Sequence, residues 1–378
     1  EAISTIFKEI GGNKMISSFD LLDVIDLISK IDFNDSEDTH VLSQIYEELL
    51  LKLGKEGGIS GEFYTPRPIV KFMVEIVQPV IGEKIFDPFC GSAGFIIESY
   101  KSMINSKEPT VDEYEYLQKT SFYGHEKKPL PYLLGLMNSI LHGLLAPQIK
   151  RKNTLSENVR NIPEIDRYDV ILTNPPFGGT ENERIQQNFP IPIQATEILA
   201  LQYVMKHMKR KSRCGMVVPE GVLFRKDAFS KVKRELIENF NLHTIISLPY
   251  GIFANVTAQG SGPKTNLIFF EKPGRTKEVW YYELTLKRNL SKTNPIRYEE
   301  MTECIDKWKN RKISENSWIV DVDEIVRRDY DLAAKNPNRK NVLEQKSLEF
   351  FVADIIEKEN EIISIMQEIQ SMVEKNNE

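Results

Sequence analysis

The amino-acid sequence predicts an α/β protein with a doubly wound, mainly parallel sheet, an N-terminal helical region and a C-terminal helical tail. Between about residues 84 and 284, short β-rich runs alternate with helix-length amphipathic segments, which is the pattern of βαβ units. Near both termini, apolar residues recur at three- and four-residue spacing, as on one face of a helix. The length of 378 residues, with 41% hydrophobic side chains, is typical of a globular protein of two or three domains.

The N-terminal region, residues 1–60, is predicted to be a helical domain. Apolar residues repeat at helical spacing over residues 21–28 and 41–53. The sequence begins with Glu1 and not with Met, so this domain is expected to be truncated. A third helix is expected to begin after Pro68, where Ile, Phe, Met and Val residues again follow the helical period.

Residues 61–285 are predicted to form one domain around the sheet. Each predicted strand is short and rich in β-branched or aromatic residues. Sheets of this class bind ligands at the carboxyl ends of their parallel strands, so residues at those ends are the candidate site residues. The predicted strands are Lys84–Phe86, Ser121–Tyr123, Asp169–Leu172, Gly215–Val218, Thr244–Ser247, Asn266–Phe270 and Val279–Leu284.

The C-terminal part divides into two segments. Residues 286–340 are expected to be an irregular extension that contains Trp308 and Trp318. Over residues 341–378, apolar side chains fall on an alternating three–four seam, which is typical of a coiled coil. We expect this helix to require a partner helix.

The composition limits the class of protein. The net charge is −6 and the pI is about 5.7, whereas proteins that hold nucleic acid by themselves are usually basic. Contact with nucleic acid would therefore need a local basic face or a separate subunit. Three cysteines without a Cys-x-x-Cys pair and five histidines without ligand-like spacing predict neither a disulfide framework nor a metal site. The sequence shows no cleavable leader and no apolar run near the roughly 20 residues that span a bilayer, so a cytoplasmic protein without membrane contact is expected.

The first chemical motif is KIFDPFCGSAGF, residues 84–95, in which a strand ends at Asp87 and a helix begins near Ala93. Gly91 and Gly94 allow the backbone to approach a ligand closely. The run lacks the Gly-x-Gly-x-x-Gly spacing of a pyrophosphate-binding loop, and the carboxylate would repel phosphate and favour a cation such as an amino group. A plain strand–helix turn is the alternative that this motif leaves open.

The second motif places Glu126 at the end of the next predicted strand. A carboxylate in this position can accept hydrogen bonds from both hydroxyl groups of a ribose. A solvated surface glutamate is the alternative, and it would be preferred if the first motif were absent.

The third motif is the most specific one, because an apolar strand runs directly into Asn174-Pro175-Pro176-Phe177. The two prolines fix φ and remove backbone donors, so the Pro175 carbonyl can keep a set direction. Asn174 adds a side-chain acceptor, and Phe177 adds a flat apolar ring. Two acceptors beside a stacking ring match an exocyclic amine on a planar base, whereas a simple proline-rich turn requires neither the amide nor the ring.

Asn-Pro-Pro-Phe together with DPFCGSAGF resembles the amino-group DNA methyltransferases that use S-adenosyl-L-methionine, specifically the N6-adenine type. GEFYTPRPIV, residues 61–70, is similar to the cofactor motif that precedes the sheet in one ordering class of these enzymes. Residues 216–224, 248–272 and 330–338 resemble the modification subunit of type I restriction–modification systems. The resemblance runs from about Gly61 to the end of the chain and implies a methyltransferase (Rossmann-like) sheet.

The resemblance also implies roles for individual residues. Asn174, Pro175, Pro176 and Phe177 would be catalytic. Asn153 stands where an acidic residue is common, and its amide oxygen can still accept a hydrogen bond from the adenine amine of the cofactor but carries no charge. The implied S-adenosyl-L-methionine-binding residues are Phe63, Tyr64, Thr65 and Pro66 at the methionine end, Asp87, Pro88, Gly91, Ser92 and Gly94 at the amino-acid and sugar portions, Glu126 at the ribose, Asn153, Thr154 and Leu155 at the adenine, and Asn174.

The implied reaction is methylation of an adenine flipped out of double-stranded DNA. A separate specificity subunit would read the target sequence, and a restriction (translocase/nuclease) subunit would join the full complex. The acidic net charge and the C-terminal seam are consistent with catalysis by this chain and DNA recognition by a separate subunit. Two alternatives stay open: a methyltransferase that acts on a protein glutamine or an RNA base, and a scaffold that binds the cofactor without turnover.

Overall fold

The structure is a computed structural model of the chain. The chain separates into two compact units, Glu1–Asn336 and Pro337–Glu378. Among the residues that are described, no helix is both long enough and apolar enough to cross a membrane. The structure describes residues 64–253, 262–291 and 294–338, together with Leu22, Tyr46, Ile356, Glu359, Ile363 and Met366.

The described strands form one nine-stranded sheet within the first unit. They are β1 (Ile85–Asp87), β2 (Phe122–Glu126), β3 (Gln148–Arg151), β4 (Tyr168–Thr173), β5 (Met208–Pro219), β6 (Asn241–Ser247), β7 (Thr265–Lys272), β8 (Glu278–Glu283) and β9 (Ser317–Asp321). Their spatial order is β3-β2-β1-β4-β5-β7-β6-β8-β9. β7 is antiparallel to both of its neighbours and β9 is antiparallel to β8, whereas the other adjacent pairs are parallel. The predicted mainly parallel sheet is confirmed.

Helices cover both faces of this sheet, and they are numbered from the first one that is described. They are α1 (Arg67–Val77), α2 (Gly94–Ser106), α3 (Val111–Lys119), α4 (Pro129–Leu141), α5 (Glu183–Gln186), α6 (Thr196–His207), α7 (Glu220–Phe224), α8 (Ala228–Asn239), α9 (Thr302–Lys309) and α10 (Val322–Arg327). α1 confirms the helix predicted after Pro68, and α2 begins where the first motif predicted a helix.

Most of the hydrophobic core of the described residues lies in two large buried clusters, one on each face of the sheet. Val170 and Leu172 of β4 pack in the cluster that contains α1 and α2, whereas Ile171 between them packs in the cluster that contains α6 and α8. This alternation follows from the two-residue period of a strand. Because both faces of β4 are buried, its sequence is a continuous apolar run and was recognised as a strand.

The expectation of an irregular extension over residues 286–340 was wrong for three segments, which form α9, β9 and α10. β9 adds an antiparallel strand next to β8, and its Trp318 ring stacks on Tyr281 with centroids 5.4 Å apart. β9 lies at an edge of the described sheet and pairs with β8 alone, so its pairing, and not its sequence pattern, defines this strand. The domain boundaries at residues 60, 285 and 340 stay predictions.

β3 is a second strand that the sequence pattern did not indicate. Only Ile149 of its four residues is buried, because β3 lies at the edge of the sheet and pairs with β2 alone. An edge strand with charged, exposed side chains has no apolar alternation to recognise.

Several predictions concern residues outside the described part of the chain. They include Phe63, most of the two N-terminal helices and most of the C-terminal seam. Individual positions within these segments are described as helical, namely Leu22, Tyr46, Ile356, Glu359, Ile363 and Met366.

Candidate active site

A cleft of about 300 Å³ opens at the carboxyl ends of β1, β2 and β4. β1 lies between β2 and β4 in the sheet, so the strand order reverses at β1. Open α/β sheets bind ligands at such a switch point. The cleft wall contains Asp87, Gly91, Glu126 and Asn174. The three motifs of the sequence therefore meet in one place.

The loop between β1 and α2 forms one wall of the cleft. Its backbone is left-handed at Gly91 (φ 50°) and at Ala93 (φ 63°). Gly135 of α4 faces this loop so closely that a Cβ atom there would lie 2.9 Å from the Gly91 carbonyl oxygen. One turn later, Asn138 Nδ2 donates a hydrogen bond to the Ser92 carbonyl at 2.8 Å. Helix α4 therefore holds the loop in its turned conformation.

Asp87 ends β1 and is 2% exposed. Its Oδ1 accepts hydrogen bonds from the Thr173 hydroxyl at 2.7 Å and from the Phe89 backbone N–H at 3.1 Å. Burial raises the pKa of Asp87 from 3.8 to about 7, against the lowering effect of these two hydrogen bonds, and the charge of Glu126 raises it further. A cationic group of a ligand would favour the ionised form of this carboxyl.

Glu126 ends β2, and the backbone on either side of the cleft holds both of its carboxylate oxygens. The Lys128 N–H donates to Oε1 at 2.7 Å, and the Gly91 N–H donates to Oε2 at 3.0 Å. Burial raises the pKa of Glu126, although these hydrogen bonds oppose the shift. Each oxygen has a further lone pair, so the carboxylate can still accept hydrogen bonds from a diol.

The segment after β3 forms another part of the wall. Asn153 is half-buried, Thr154 and Leu155 are buried, and all three line the cleft. The Thr154 hydroxyl donates to the Pro88 carbonyl at 2.5 Å. This hydrogen bond ties the segment after β3 to the loop after β1.

Asn174 follows β4 directly and lines the cleft. Its Nδ2 donates to Thr65 Oγ1 at 3.0 Å, across 109 positions of sequence. Its Oδ1 is buried and has no hydrogen-bond partner among the described residues. A buried acceptor without a partner costs free energy, so a hydrogen-bond donor that reached this oxygen would be bound favourably.

The three residues after Asn174 have different surroundings. Pro175 is buried, whereas Pro176 is exposed and lines the cleft. The half-buried Phe177 ring packs edge-on against Phe253, with centroids 5.5 Å apart and an interplanar angle of 88°. This contact holds the Phe177 ring in position.

The sequence model of the N-6 DNA methylase family matches residues 37–346 of the chain. The chain belongs to this family. The type I restriction enzyme EcoEI methylase subunit of Escherichia coli is 41% identical over 330 residues, which are 84% of this chain and 66% of that protein. The StySPI methylase subunit of Salmonella potsdam is 32% identical over 293 residues, 72% of this chain and 52% of that protein. The chain therefore spans about half to two thirds of the length of these curated relatives.

A solved structure has a similar fold. A chain from a structural study of complex assembly and conformational transition of the type I R-M system is 49% identical and superposes with a TM-score of 0.82, over 98% of this chain and 78% of that one. This similarity confirms the predicted fold class.

Most of the predicted site residues share the cleft. Tyr64 instead packs with Tyr46 and Leu134, and Pro66 is the N-cap of α1. The individual binding and catalytic roles of all these residues stay predictions. The predicted residues that line the cleft are Thr65, Asp87, Pro88, Gly91, Ser92, Gly94, Glu126, Asn153, Thr154, Leu155, Asn174 and Pro176.

The sequence reasoning missed several residues of this site, among them Phe89, Thr173 and Glu181. Phe89 lines the cleft between Asp87 and the glycine turn, and its place inside the first motif could have indicated it. Thr173 orients Asp87, but nothing in the strand pattern shows that its hydroxyl points there. Glu181 lines the cleft because its segment pairs back on the residues before α6, which no local pattern shows. In the described part of the chain, no group of three His, Cys, Asp or Glu side chains could hold a metal ion.

Proposed function

We propose that the chain is the modification subunit of a type I restriction–modification system. It transfers a methyl group from S-adenosyl-L-methionine to the N6 amine of adenine in double-stranded DNA. The Asn174 amide carries this proposal: Thr65 engages its nitrogen, and its buried oxygen has no partner among the described residues. An acceptor oriented in this way suits an N–H donor of a substrate. Membership of the N-6 DNA methylase family and the similarity to type I methylase subunits support the same reading.

The donors and acceptors of the cleft fit S-adenosyl-L-methionine. Glu126 would hold the ribose hydroxyls, because its two oxygens are already fixed by backbone N–H groups. Asp87 would face the amino-acid portion, whose ammonium group would favour ionisation of a carboxyl with a pKa of about 7. Asn153 would accept one hydrogen bond from the adenine amine. When bound, the cofactor supplies an electrophilic methyl group on a positively charged sulfur.

The acceptor side of the reaction would rest on the residues after β4. Asn174 Oδ1 and the Pro175 carbonyl would accept the two N6 hydrogens of the target base, and Phe177 would stack on its ring. The adenine must first rotate out of the duplex, which costs a few kcal/mol of unstacking and unpairing. The residues would contribute mainly alignment and preorganised electrostatics, because no covalent enzyme intermediate is needed.

The proposed partners follow from the charge of the chain and from its relatives. With a net charge of −6, the chain is poorly suited to hold a DNA site by electrostatics alone. A specificity subunit would therefore read the target sequence, and a restriction subunit would complete the assembly. We place this assembly in the cytoplasm, in contact with the DNA that it modifies.

The test measures transfer of labelled methyl groups to duplex DNA by the chain assembled with the specificity subunit of its own system. The DNA is then digested and analysed for N6-methyladenine by mass spectrometry. Asn174→Ala should lower the rate about 100- to 1,000-fold, as for loss of one preorganised hydrogen-bonding group, while calorimetry shows cofactor binding largely retained. Labelling of RNA or protein but not of DNA would contradict the proposed substrate. Equal loss of methylation and of cofactor binding would contradict the acceptor role of Asn174.

A further inference from the structure

Glu157 follows the three residues after β3 that form part of the cleft wall, and it is not among the described residues that line the cleft. Those three wall residues are Asn153, Thr154 and Leu155. Thr154–Ser156 is a single 3₁₀ turn, and the Glu157 backbone N–H donates to the Thr154 carbonyl at 3.2 Å. The Glu157 side chain therefore lies at the end of the turn that carries this part of the wall.

Three side chains contact the Glu157 carboxylate. Lys152 Nζ and the Tyr203 hydroxyl donate to Oε2 at 2.7 and 2.9 Å, and His207 Nε2 lies 3.7 Å from Oε1. Tyr203 and His207 of α6 are 0% and 2% exposed, and their rings stack with centroids 3.9 Å apart. The contact with His207, together with the two hydrogen bonds, holds the pKa of Glu157 well below its usual range, although burial acts in the opposite direction. An ionised carboxylate thus connects the wall segment to a buried helix.

These contacts hold the wall segment at both of its ends. The Lys152 backbone N–H donates to the Glu126 carbonyl at 2.9 Å, so the start of the segment is attached to the end of β2. The ion pair between Lys152 and Glu157 then closes residues 153–156 into a loop. With side chains 37% and 27% exposed, such a pair contributes little stability by itself. Its main consequence is therefore geometric, because it fixes the two ends of the segment relative to each other.

We propose that Glu157 is a positioning residue that directs the Asn153 amide toward the adenine of the cofactor. The inference rests on the function proposed above, in which Asn153 accepts a hydrogen bond from the adenine amine. An amide oxygen carries no charge, so this interaction depends on hydrogen-bond distance and angle and weakens steeply when they are wrong. A wall segment that is attached to β2 at one end and to α6 at the other keeps the acceptor in place. Release from α6 would remove that constraint.

The experiment measures, by calorimetry, how the full chain binds two ligands. One is S-adenosyl-L-homocysteine, and the other is its analogue in which hydrogen replaces the 6-amino group of the adenine. Wild type should prefer the first ligand about 2- to 10-fold, as for one uncharged hydrogen bond. Glu157→Ala should bind S-adenosyl-L-homocysteine more weakly by the same factor and bind the analogue as wild type does. The preference for the amine is lost only if Glu157 acts through Asn153, since a general structural defect would weaken both ligands alike.

Glu164→Ala is the matched control, because Glu164 lies in the same connection between β3 and β4 and forms an ion pair with Arg167 at 3.0 Å. It should retain both affinities. Tyr203→Phe keeps the stacked ring and removes only the hydroxyl that donates to Glu157, so it provides the test if Glu157→Ala does not fold, and it should reduce the preference. In the assembly with the specificity subunit, Glu157→Ala should raise the KM for the cofactor about 2- to 10-fold and leave kcat at saturating cofactor unchanged.

The results that would overturn the inference differ from those that would overturn the proposed function. Equal weakening of both ligands by Glu157→Ala, or no weakening of either, would exclude the positioning role, as would an unchanged preference in Tyr203→Phe. A wild-type chain that binds both ligands equally would show that Asn153 does not contact the adenine amine, and it would leave the proposed methyl transfer intact. A wild-type assembly that binds the cofactor with the expected preference but does not methylate DNA would contradict the proposed function alone.

Discussion

Replacing Asp87 by Asn should remove a pH-dependent loss of stability from the chain. Asp87 is 2% exposed, and burial raises its pKa from 3.8 to about 7. A pKa difference of one corresponds to about 1.4 kcal/mol. Ionisation of Asp87 in the folded, cofactor-free chain therefore costs about 4 kcal/mol of stability.

The direction of the effect follows from proton linkage. Because the pKa of Asp87 is higher in the folded chain than in the unfolded one, the folded state binds the proton more tightly. The stabilising contribution of the neutral carboxyl is fully present below pH 3.8 and is lost as the pH rises through about 7. Between about pH 5 and pH 8, wild type should lose about 3 kcal/mol relative to Asp87→Asn.

The assay is urea denaturation of both proteins without cofactor at several pH values in this range. The measured quantity is the difference between their free energies of unfolding at each pH, so that titration of all other groups cancels. Asp306→Asn, which changes an exposed carboxylate on α9, is the control and should give no trend with pH. A difference between wild type and Asp87→Asn that stays constant over this range would refute the argument from burial.

Two further predictions concern the geometry of the cleft. Thr65→Val removes the hydrogen-bond acceptor for Asn174 Nδ2. Because one hydrogen bond contributes about 0.5–1.5 kcal/mol, kcat at saturating cofactor should fall about 2- to 10-fold. Thr65→Ser keeps the hydroxyl and should retain the wild-type kcat. Equal kcat for all three would contradict the orienting role. Gly135→Ala places a Cβ atom 2.9 Å from the Gly91 carbonyl oxygen and should displace the loop after β1. Because overpacking costs about 1–3 kcal/mol, cofactor affinity measured by calorimetry should fall about 5- to 150-fold. Gly221→Ala is the control, because among the described residues its Cβ would meet only Arg225, at 3.5 Å, and it should bind the cofactor normally. Equal cofactor affinities of Gly135→Ala and Gly221→Ala would show that the loop can shift at little cost.

The sequence predicted a strand correctly where burial of the strand gives it a recognisable local pattern of apolar residues. β4 is buried on both faces, so its continuous apolar run was sufficient to recognise it. β3 and β9 were missed because they are the two edge strands of the described sheet, each paired with one neighbour only. Their place in the sheet depends on pairing with β2 and β8, and pairing between distant segments leaves no signal in a short window.

By itself, the sequence determined which side chains meet in the candidate site and at which edge of the sheet they lie. Asp87, Glu126 and Asn174 each end or directly follow a strand of the same direction, and the carboxyl ends of parallel strands meet at one edge. Only the tertiary structure decided which way the Asn174 amide points, how far the pKa of Asp87 rises and why Gly135 must lack a side chain. The physical reason is that a hydrogen-bond direction, a desolvation cost and a steric limit all depend on atoms that lie close in space but far apart in the chain.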